Sequence, residues 1–397
     1  LPADAQMERY FRAHREMGVR DRGQVAETVY GVLRHRRELA HIAGAEDAAP
    51  QDLIYAWMIR QGISARALDA AGADGDLVSL VARARQLDEA ALPFAVRADL
   101  PDWLAQALRD QLGDTEALAL ASALKAPAPV DLRANTIKIK REELRTRLAA
   151  EGFATELTPY SPVGLRRATR EPLFHTAAFK EGLFEIQDEG SQLLSLLVEP
   201  RRHEMVVDFC AGAGGKTLHL GALMANTGTV YAFDTQAKRL EKLKPRLQRS
   251  GLQNVRSVVI AHENDERVRR LHGKIDRVLV DAPCSGTGTL RRNPDIKWRA
   301  IDLASLAEAQ ARILAAASEL LKVGGRLVYA TCSLLREEND AVVEAFLASH
   351  PGFTPLAAQE LLAHRDVTVP MHDAALRLAP HTHATDGFFA MAFERGA

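Results

Sequence analysis

From Met205 onward the chain alternates short, β-rich apolar runs with stretches of helical spacing. The runs at 205–209, 229–233, 255–260, 276–281 and 326–331 read as strands. Helices are expected over 216–225, 237–249, 302–322 and 337–349. This rhythm admits few folds. Strands that are apolar throughout must be covered on both faces, and intervening helices impose parallel pairing. The expected fold class is therefore α/β, with a doubly wound parallel sheet. Two late runs, 375–378 and 388–393, have no helix between them, so an antiparallel hairpin is expected at one sheet edge. In open sheets of this kind ligands bind outside the carboxyl ends of the strands. The loops leaving those strands are where chemistry is expected.

The chain before Met205 has a different texture. Residues 1–125 are rich in Ala, Leu, Arg and Glu, and sets such as Val25, Val29, Val32 and Leu33 recur at helical spacing. An all-helical domain is expected there, ended by the Lys125-Ala126-Pro127-Ala128-Pro129 linker. A small α+β unit is expected over 130–195. It has strands near Val130–Asn135 and Gly182–Gln187, and a helix from Arg141 to Glu151 stopped by Gly152. The sheet domain takes 196–397. The formal net charge is −1, so a nucleic-acid partner would need local basic patches. Three exist. One holds Arg133, Lys138, Lys140, Arg141, Arg145 and Arg147; a second, Lys238 to Arg249, reads as a solvated helix face. The third holds Arg291, Arg292, Lys297 and Arg299. No stretch reads as a signal peptide or a membrane span, although the first residue is Leu1 and a short leader before it is an expectation.

The three cysteines, Cys210, Cys284 and Cys332, each stand where a loop leaves an expected strand. An isolated Cys is more often a small buried hydrophobe. Cys210, after Met205-Val206-Val207-Asp208-Phe209, suits that reading. Cys284 and Cys332 lie among Pro, Ser, Gly and Thr, which mark turns. Two thiols at such an edge suggest chemistry on a carbon electrophile, because the thiolate is the strongest side-chain nucleophile. The odd count argues against disulfides, and the lack of a CxxC pair argues against a metal.

Asp208 to Thr217 (DFCAGAGGKT) follows the first strand of the sheet domain and opens a helix. Its glycines permit a tight turn and close approach of a ligand. Cys210 occupies the position where a Walker A loop needs Gly. The next strand ends in Asp234, where an acid can accept both ribose hydroxyls of a nucleoside cofactor; the alternative is a cap for the helix that follows. Loop and acid together indicate a nucleoside ligand. They do not choose among NAD, FAD and S-adenosylmethionine.

The runs DFCAGAGGKTLHL (208–220), DAPCSGTGTLRRNPDIKW (281–298), LKVGGRLVYATCSLLREEN (321–339) and DGFF (386–389) are more specific. With them the chain resembles the Nop/Sun family of RNA cytosine-5 methyltransferases, in its RsmB-like bacterial rRNA branch. LFEIQDEGSQLL (183–194) resembles the stretch before the cofactor domain. RDRGQVAETVYGVLRHRR (20–37) resembles, more loosely, the NusB-like RNA-binding domain of that branch. The resemblance implies a class I methyltransferase-type sheet, preceded by an RRM-like α+β unit and a NusB-like helical domain. It implies S-adenosyl-L-methionine as cofactor, held by Cys210, Ala211, Gly212, Ala213, Gly214, Gly215, Lys216, Asp234 and Asp281. His262 stands where members carry an acid for the adenosine, with Glu263 and Asp265 as alternatives.

In the family the Cys of the Thr-Cys run attacks carbon 6 of cytosine, which maps to Cys332. The Cys of the Pro-Cys run assists product release, which maps to Cys284. Asp281 is then expected at the base edge and Lys216 beside the catalytic centre. Arg133 and Asn135 match an RNA-facing strand, and Arg291 and Arg292 flank the site as candidate RNA contacts. Gln187, Asp188 and Ser191 either hold the cytidine or cap a helix. Asn293, Pro294 and Asp295 are expected to form a turn shaping the pocket. Glu338 and Asn339 are read as starting a helix, and His381 and His383 as surface residues. The substrate implied is small-subunit rRNA, handled by a cytoplasmic monomer without metal. Alternatives are a tRNA or DNA cytosine methyltransferase, and an RNA-binding assembly protein without catalysis.

Overall fold

The computed structural model describes residues 2–169 and 173–397. The chain divides into two compact units. One holds Leu1–Pro127 with Thr289–Ala300, the other Ala128–Gly288 with Ile301–Ala397.

The first unit is helical, running from Ala3–Ala13 to Asp102–Lys125. Leu39, Ile42, Leu53, Ala56 and Leu80 pack at its centre. Its last helix is interrupted at Gly113, where φ is 77° and ψ is 167°. The segment Thr289–Ala300 belongs to this unit: Trp298 Nε1 donates to the Leu33 carbonyl at 2.8 Å, and Lys297 Nζ donates to the Arg34 carbonyl at 2.9 Å. The turn at Asn293–Asp295, expected to shape the thiol pocket, is therefore part of the helical unit.

The second unit carries two sheets. The smaller is antiparallel and ordered β2-β3-β1-β4, from β1 (Val130–Ala134), β2 (Glu156–Leu157), β3 (Gly164–Arg167) and β4 (Phe184–Ile186). Leu132 pairs with Leu165 on one side and Ile186 on the other. Leu144 and Leu148, four apart on the helix Arg141–Ala150, cover the core that Leu132, Leu165 and Phe184 form.

The larger sheet holds β5 (Met205–Asp208), β6 (Thr229–Asp234), β7 (Val255–Val259), β8 (Ile275–Asp281), β9 (Leu321–Thr331), β10 (Phe353–Leu356), β11 (Leu376–Leu378) and β12 (Phe388–Arg395). Its order is β10-β12-β9-β8-β5-β6-β7, with β11 paired to β12. β7, β6, β5, β8 and β9 run parallel; β12 is antiparallel to β9 and to β10. Successive residues feed opposite faces: Val206, Leu279 and Val328 join one core, Val207, Val280 and Tyr329 the other. A strand buried on both faces must be apolar at every position, which is why these runs lack alternation.

β11 and β12 do form an antiparallel pair, but β12 lies inside the sheet between β9 and β10. β10 carries Pro355 and, among the described residues, pairs only with β12, as an edge strand permits. The single expected helix over 237–249 is two, Ala237–Glu241 and Leu243–Ser250. Pro245 falls in the first turn of the second, where a missing amide costs nothing. No helix among the described residues is long and apolar enough to cross a membrane.

The chain winds one way from β5 to β7 and the other way from β8 to β9. The strand order thus reverses between β5 and β8, and in open sheets ligands bind at the carboxyl ends beside such a switch point.

Candidate active site

The loop leaving β5 is fixed by backbone bonds to both neighbouring strands. Phe209 N donates to the Leu279 carbonyl and Ala211 N to the Phe233 carbonyl, each at 2.8 Å. Gly212 and Gly214 then turn the chain at φ 56° and 81°. A Cβ on Gly214 would lie 2.2 Å from Leu243 Cδ1, so only glycine fits that turn. The buried carboxylate of Asp234 ties the loop to β6: one oxygen accepts the Gly212 amide at 2.8 Å, the other the Gln236 amide at 2.7 Å.

Three carboxylates, Asp208, Asp234 and Asp281, gather here. Burial pushes Asp208 up to about 7, although the Thr217 hydroxyl donates to Oδ2 at 2.6 Å. Its Oδ1 is buried without a hydrogen-bond partner. Removal from water, and then these three acids, push the Cys210 thiol well above its ordinary value. Cys210 is thus kept protonated, as a part of the loop. The one amine in the cluster, Lys216 Nζ, is 2.7 Å from Asp281 Oδ2. Burial alone would pull its pKa down; Asp281 outweighs this, and Asp208 and Cys332 add to the rise. Lys216 is therefore a fixed cation facing the thiols.

The thiols come from neighbouring parallel strands, with Asp281 of β8 in register with Ala330 of β9. The two loops stay joined past the strand ends: Ala282 N donates to the Ala330 carbonyl at 2.8 Å and Gly288 N to the Cys332 carbonyl at 2.9 Å. Cys284 Sγ and Cys332 Sγ lie 3.4 Å apart, both half-buried. That contact, followed by burial and the charges of Cys332 and Glu338, pushes the Cys284 thiol up. The DGFF loop packs closely against this pair. Gly387 N donates to the Gly288 carbonyl at 2.8 Å, and a Cβ on Gly288 would lie 2.1 Å from the Gly387 oxygen. Lys216 Nζ is 6.0 Å from the centre of the Phe388 ring.

Two residues that the sequence reading set aside turn out to support both loops. Glu338 is fully buried. Its Oε1 accepts the Ser285 amide at 2.8 Å and Gln310 Nε2 at 3.0 Å; its Oε2 accepts the hydroxyls of Ser285 and Ser333. Asn339 accepts from the Thr331 hydroxyl at 2.6 Å and donates to the Ser333 carbonyl at 3.0 Å. The only sequence signal was their nearness to Cys332.

Other expected residues are placed differently. Arg133 is buried, with Nη1 donating to Gln187 Oε1 and, at 2.6 Å, to the Gly215 carbonyl. Asn135 Nδ2 bridges the Gly182 and Ser250 carbonyls, each at 2.9 Å. Both brace the second unit from inside rather than line an open RNA-facing surface. Arg291 is also buried, and its carbonyl accepts Arg34 Nη2 at 3.3 Å within the helical unit; Arg292 N donates to the Thr289 carbonyl. Burial lowers Lys297 to about 8, and Arg299 is paired with Asp295. The third basic cluster is thus no continuous exposed patch.

Arg246 and Arg249 of the second cluster pair with Glu185 at 2.9 and 2.5 Å. His262 is exposed, with Nδ1 accepting the Asn264 amide; Asp265 is committed to the Ala261 and Arg267 amides, and Glu263 to Arg312. Asp188 caps the helix Glu189–Leu197 through the Gly190 amide at 2.8 Å, and Gln187 Nε2 reaches Ser191 Oγ at 3.1 Å. His383 is buried rather than exposed, with Nε2 3.0 Å from the Pro370 carbonyl oxygen.

The comparisons with known proteins agree with this geometry. Residues 195–394 match the family model described as 16S rRNA methyltransferase RsmB/F, and residues 100–171 match its ferredoxin-like domain. A Bacillus subtilis protein called probable ribosomal RNA small subunit methyltransferase B is 36% identical over 301 residues, 75% of this chain and 66% of its own length. The human 28S rRNA (cytosine(4447)-C(5))-methyltransferase is 32% identical, over 79% of this chain and 40% of its own length. A crystal structure of a methyltransferase homologue from Pyrococcus horikoshii is 31% identical and superposes with a TM-score of 0.65, over 78% of this chain and 100% of that one. The chain therefore spans just under two thirds of the bacterial relative.

The cofactor is S-adenosyl-L-methionine, and the residues present fit it. A glycine turn that leaves no room for a Cβ, a strand-end acid and an unpartnered carboxylate oxygen on Asp208 suit a ligand that carries positive charge and a ribose diol. With the class I sheet, the paired thiols and these likenesses together, the chain belongs to the RsmB/F family of 16S rRNA methyltransferases.

Proposed function

We propose that this chain methylates carbon 5 of cytosine in small-subunit rRNA through a covalent bond between Cys332 and the base. The observation that carries the reading is the pair of thiols 3.4 Å apart beside the Lys216–Asp281 ion pair.

Carbon 5 of cytosine is too weak a nucleophile to take a methyl group unaided. The Cys332 thiolate adds to carbon 6, forming the S–C6 bond and moving the C5=C6 electron pair onto carbon 5. Asp281 is assigned to the base edge near ring nitrogen 3, where a proton or a hydrogen bond stabilises the charge that develops. Lys216 holds Asp281 in place through their ion pair. S-adenosylmethionine, when bound, supplies an electrophilic methyl group. Loss of the carbon-5 proton to a base then restores the C5=C6 bond and expels Cys332 as thiolate. Cys284, touching Cys332, assists this release. The base must leave its stack to reach the two thiols, so the substrate is an unpaired or flipped cytidine. As written, the reaction needs one copy of the chain and no metal.

The test is transfer of labelled methyl groups from S-adenosylmethionine to unmodified 16S rRNA, with mapping of 5-methylcytosine. Label at carbon 5 of a cytosine in 16S rRNA is expected. Label only on tRNA or DNA, or none despite binding of S-adenosylhomocysteine, would overturn the reading.

A further inference from the structure

The loops that carry the two thiols are held by two consecutive residues, Glu338 and Asn339. Around Cys284 the bonds fall on both sides of the residue. Gln310 Nε2 donates to the carbonyl of Pro283 at 2.9 Å, and the Ser285 amide donates to Glu338 at 2.8 Å. Gln310 also donates to Glu338 at 3.0 Å, which closes the bracket. Around Cys332 the same pattern recurs with the next side chain. Thr331 Oγ1 donates to Asn339 Oδ1 at 2.6 Å, and Asn339 Nδ2 donates to the Ser333 carbonyl at 3.0 Å.

We infer that Glu338 and Asn339 are separate positioning residues, Glu338 fixing Cys284 for product release and Asn339 fixing Cys332 for attack. This rests on the division of labour between the thiols proposed above. The loop carrying Cys284 leaves β8 at Asp281, so that residue lies three positions past its strand. A buried carboxylate is costly unless its lone pairs are filled. Here four donors fill them, and two belong to Ser285, next to Cys284. The cost of burying that charge is met by bonds that fix a loop. The Glu338 carboxylate also accepts the Ser333 hydroxyl, on the other thiol's loop. Cys332 directly follows β9, and Asn339 needs only to hold the turn that begins there. A displacement of about 1 Å at a reacting group is enough to slow a step about 100-fold.

The experiment uses the full chain with unmodified 16S rRNA and labelled S-adenosylmethionine, and reads trapped protein–RNA adduct alongside methyl transfer. Glu338→Ala is expected to behave as a weaker Cys284→Ala: turnover falls about 10- to 100-fold while the adduct fraction rises. Asn339→Ala is expected to behave as a weaker Cys332→Ala, with adduct and methyl transfer falling together about 10- to 100-fold. The double variant Glu338→Ala with Cys284→Ala is expected to turn over no more slowly than Cys284→Ala alone, since both act through one thiol.

Thermal stabilisation by S-adenosylhomocysteine checks the fold. If an alanine variant fails that check, Glu338→Gln and Asn339→Asp keep part of each bracket and are expected to show the same opposite signs at smaller size. Adduct changes of the same sign at the two positions would overturn the inference. So would a fall in adduct for Glu338→Ala while Cys284→Ala accumulates it. If Cys284→Ala itself traps no adduct, the assignment of the thiols has failed instead.

Discussion

The two halves of the sheet's carboxyl edge are built differently. On the β5–β6 half the backbone does the shaping: two glycines at positive φ form the turn, and Asp234 binds two amides to keep it there. On the β8–β9 half side chains do it, with Glu338, Gln310 and Asn339 fixing the loops that carry the thiols. Lys216 starts on the first half and reaches Asp281 on the second. The first half depends on a few irreplaceable positions. The second is a network in which each member supports the next, so its losses couple.

Substitutions separate the halves by what they disturb. Cys332→Ser is expected to cut methyl transfer by at least about 10⁴-fold, the scale of losing a covalent nucleophile. The melting shift caused by S-adenosylhomocysteine should be unchanged, because the β5–β6 half is untouched. A loss below about 10-fold would place the nucleophile elsewhere. Next comes Lys216→Met, which spans the halves. It is expected to lower kcat about 10²- to 10³-fold with little change in KM for RNA, measured by steady-state methyl transfer. A rise in KM alone would make Lys216 a substrate anchor.

Gly214→Ala probes the backbone-built half. The new Cβ, at φ 81° and 2.2 Å from Leu243, is expected to cost about 2–4 kcal/mol, read from the urea midpoint. A cost under about 0.5 kcal/mol would mean that the turn yields.

A further effect, read as a pH dependence, is expected at Asp208. Its carboxyl is raised to about 7 by burial, above an unfolded value of about 3.9. An acid whose pKa is raised on folding contributes stability that is fully present below the unfolded value and lost as pH rises through the folded one. Between pH about 4 and about 7, wild type should therefore lose stability relative to Asp208→Asn at about 1 kcal/mol per pH unit. Parallel melting curves for the two proteins across that window would contradict the burial argument.

The backbone-built half was legible in the sequence because glycine spacing and a strand-end acid are local signals. The thiols were legible too, since Pro-Cys and Thr-Cys follow apolar strands. Glu338 was not: an acid before a helical stretch reads as a helix start, and only the fold brings Ser285 and Gln310 to it. The basic clusters misled for a related reason. Charge counts do not show partners, and Arg246 and Arg249 meet Glu185 across 61 and 64 residues of sequence. Residues 289–300 begin five positions after Cys284, yet they pack with the helical unit, as nearness in sequence could not reveal. β10 escaped notice because four residues with a proline carry no period.

In the proposed reaction Cys332 forms the bond to the base and Cys284 helps to break it. Peptide mapping of the adduct trapped by Cys284→Ala on unmodified 16S rRNA tests it most directly. A modified nucleotide is expected on the peptide containing Cys332, and no adduct with Cys332→Ala. An adduct formed by Cys332→Ala and mapped to Cys284 would contradict it.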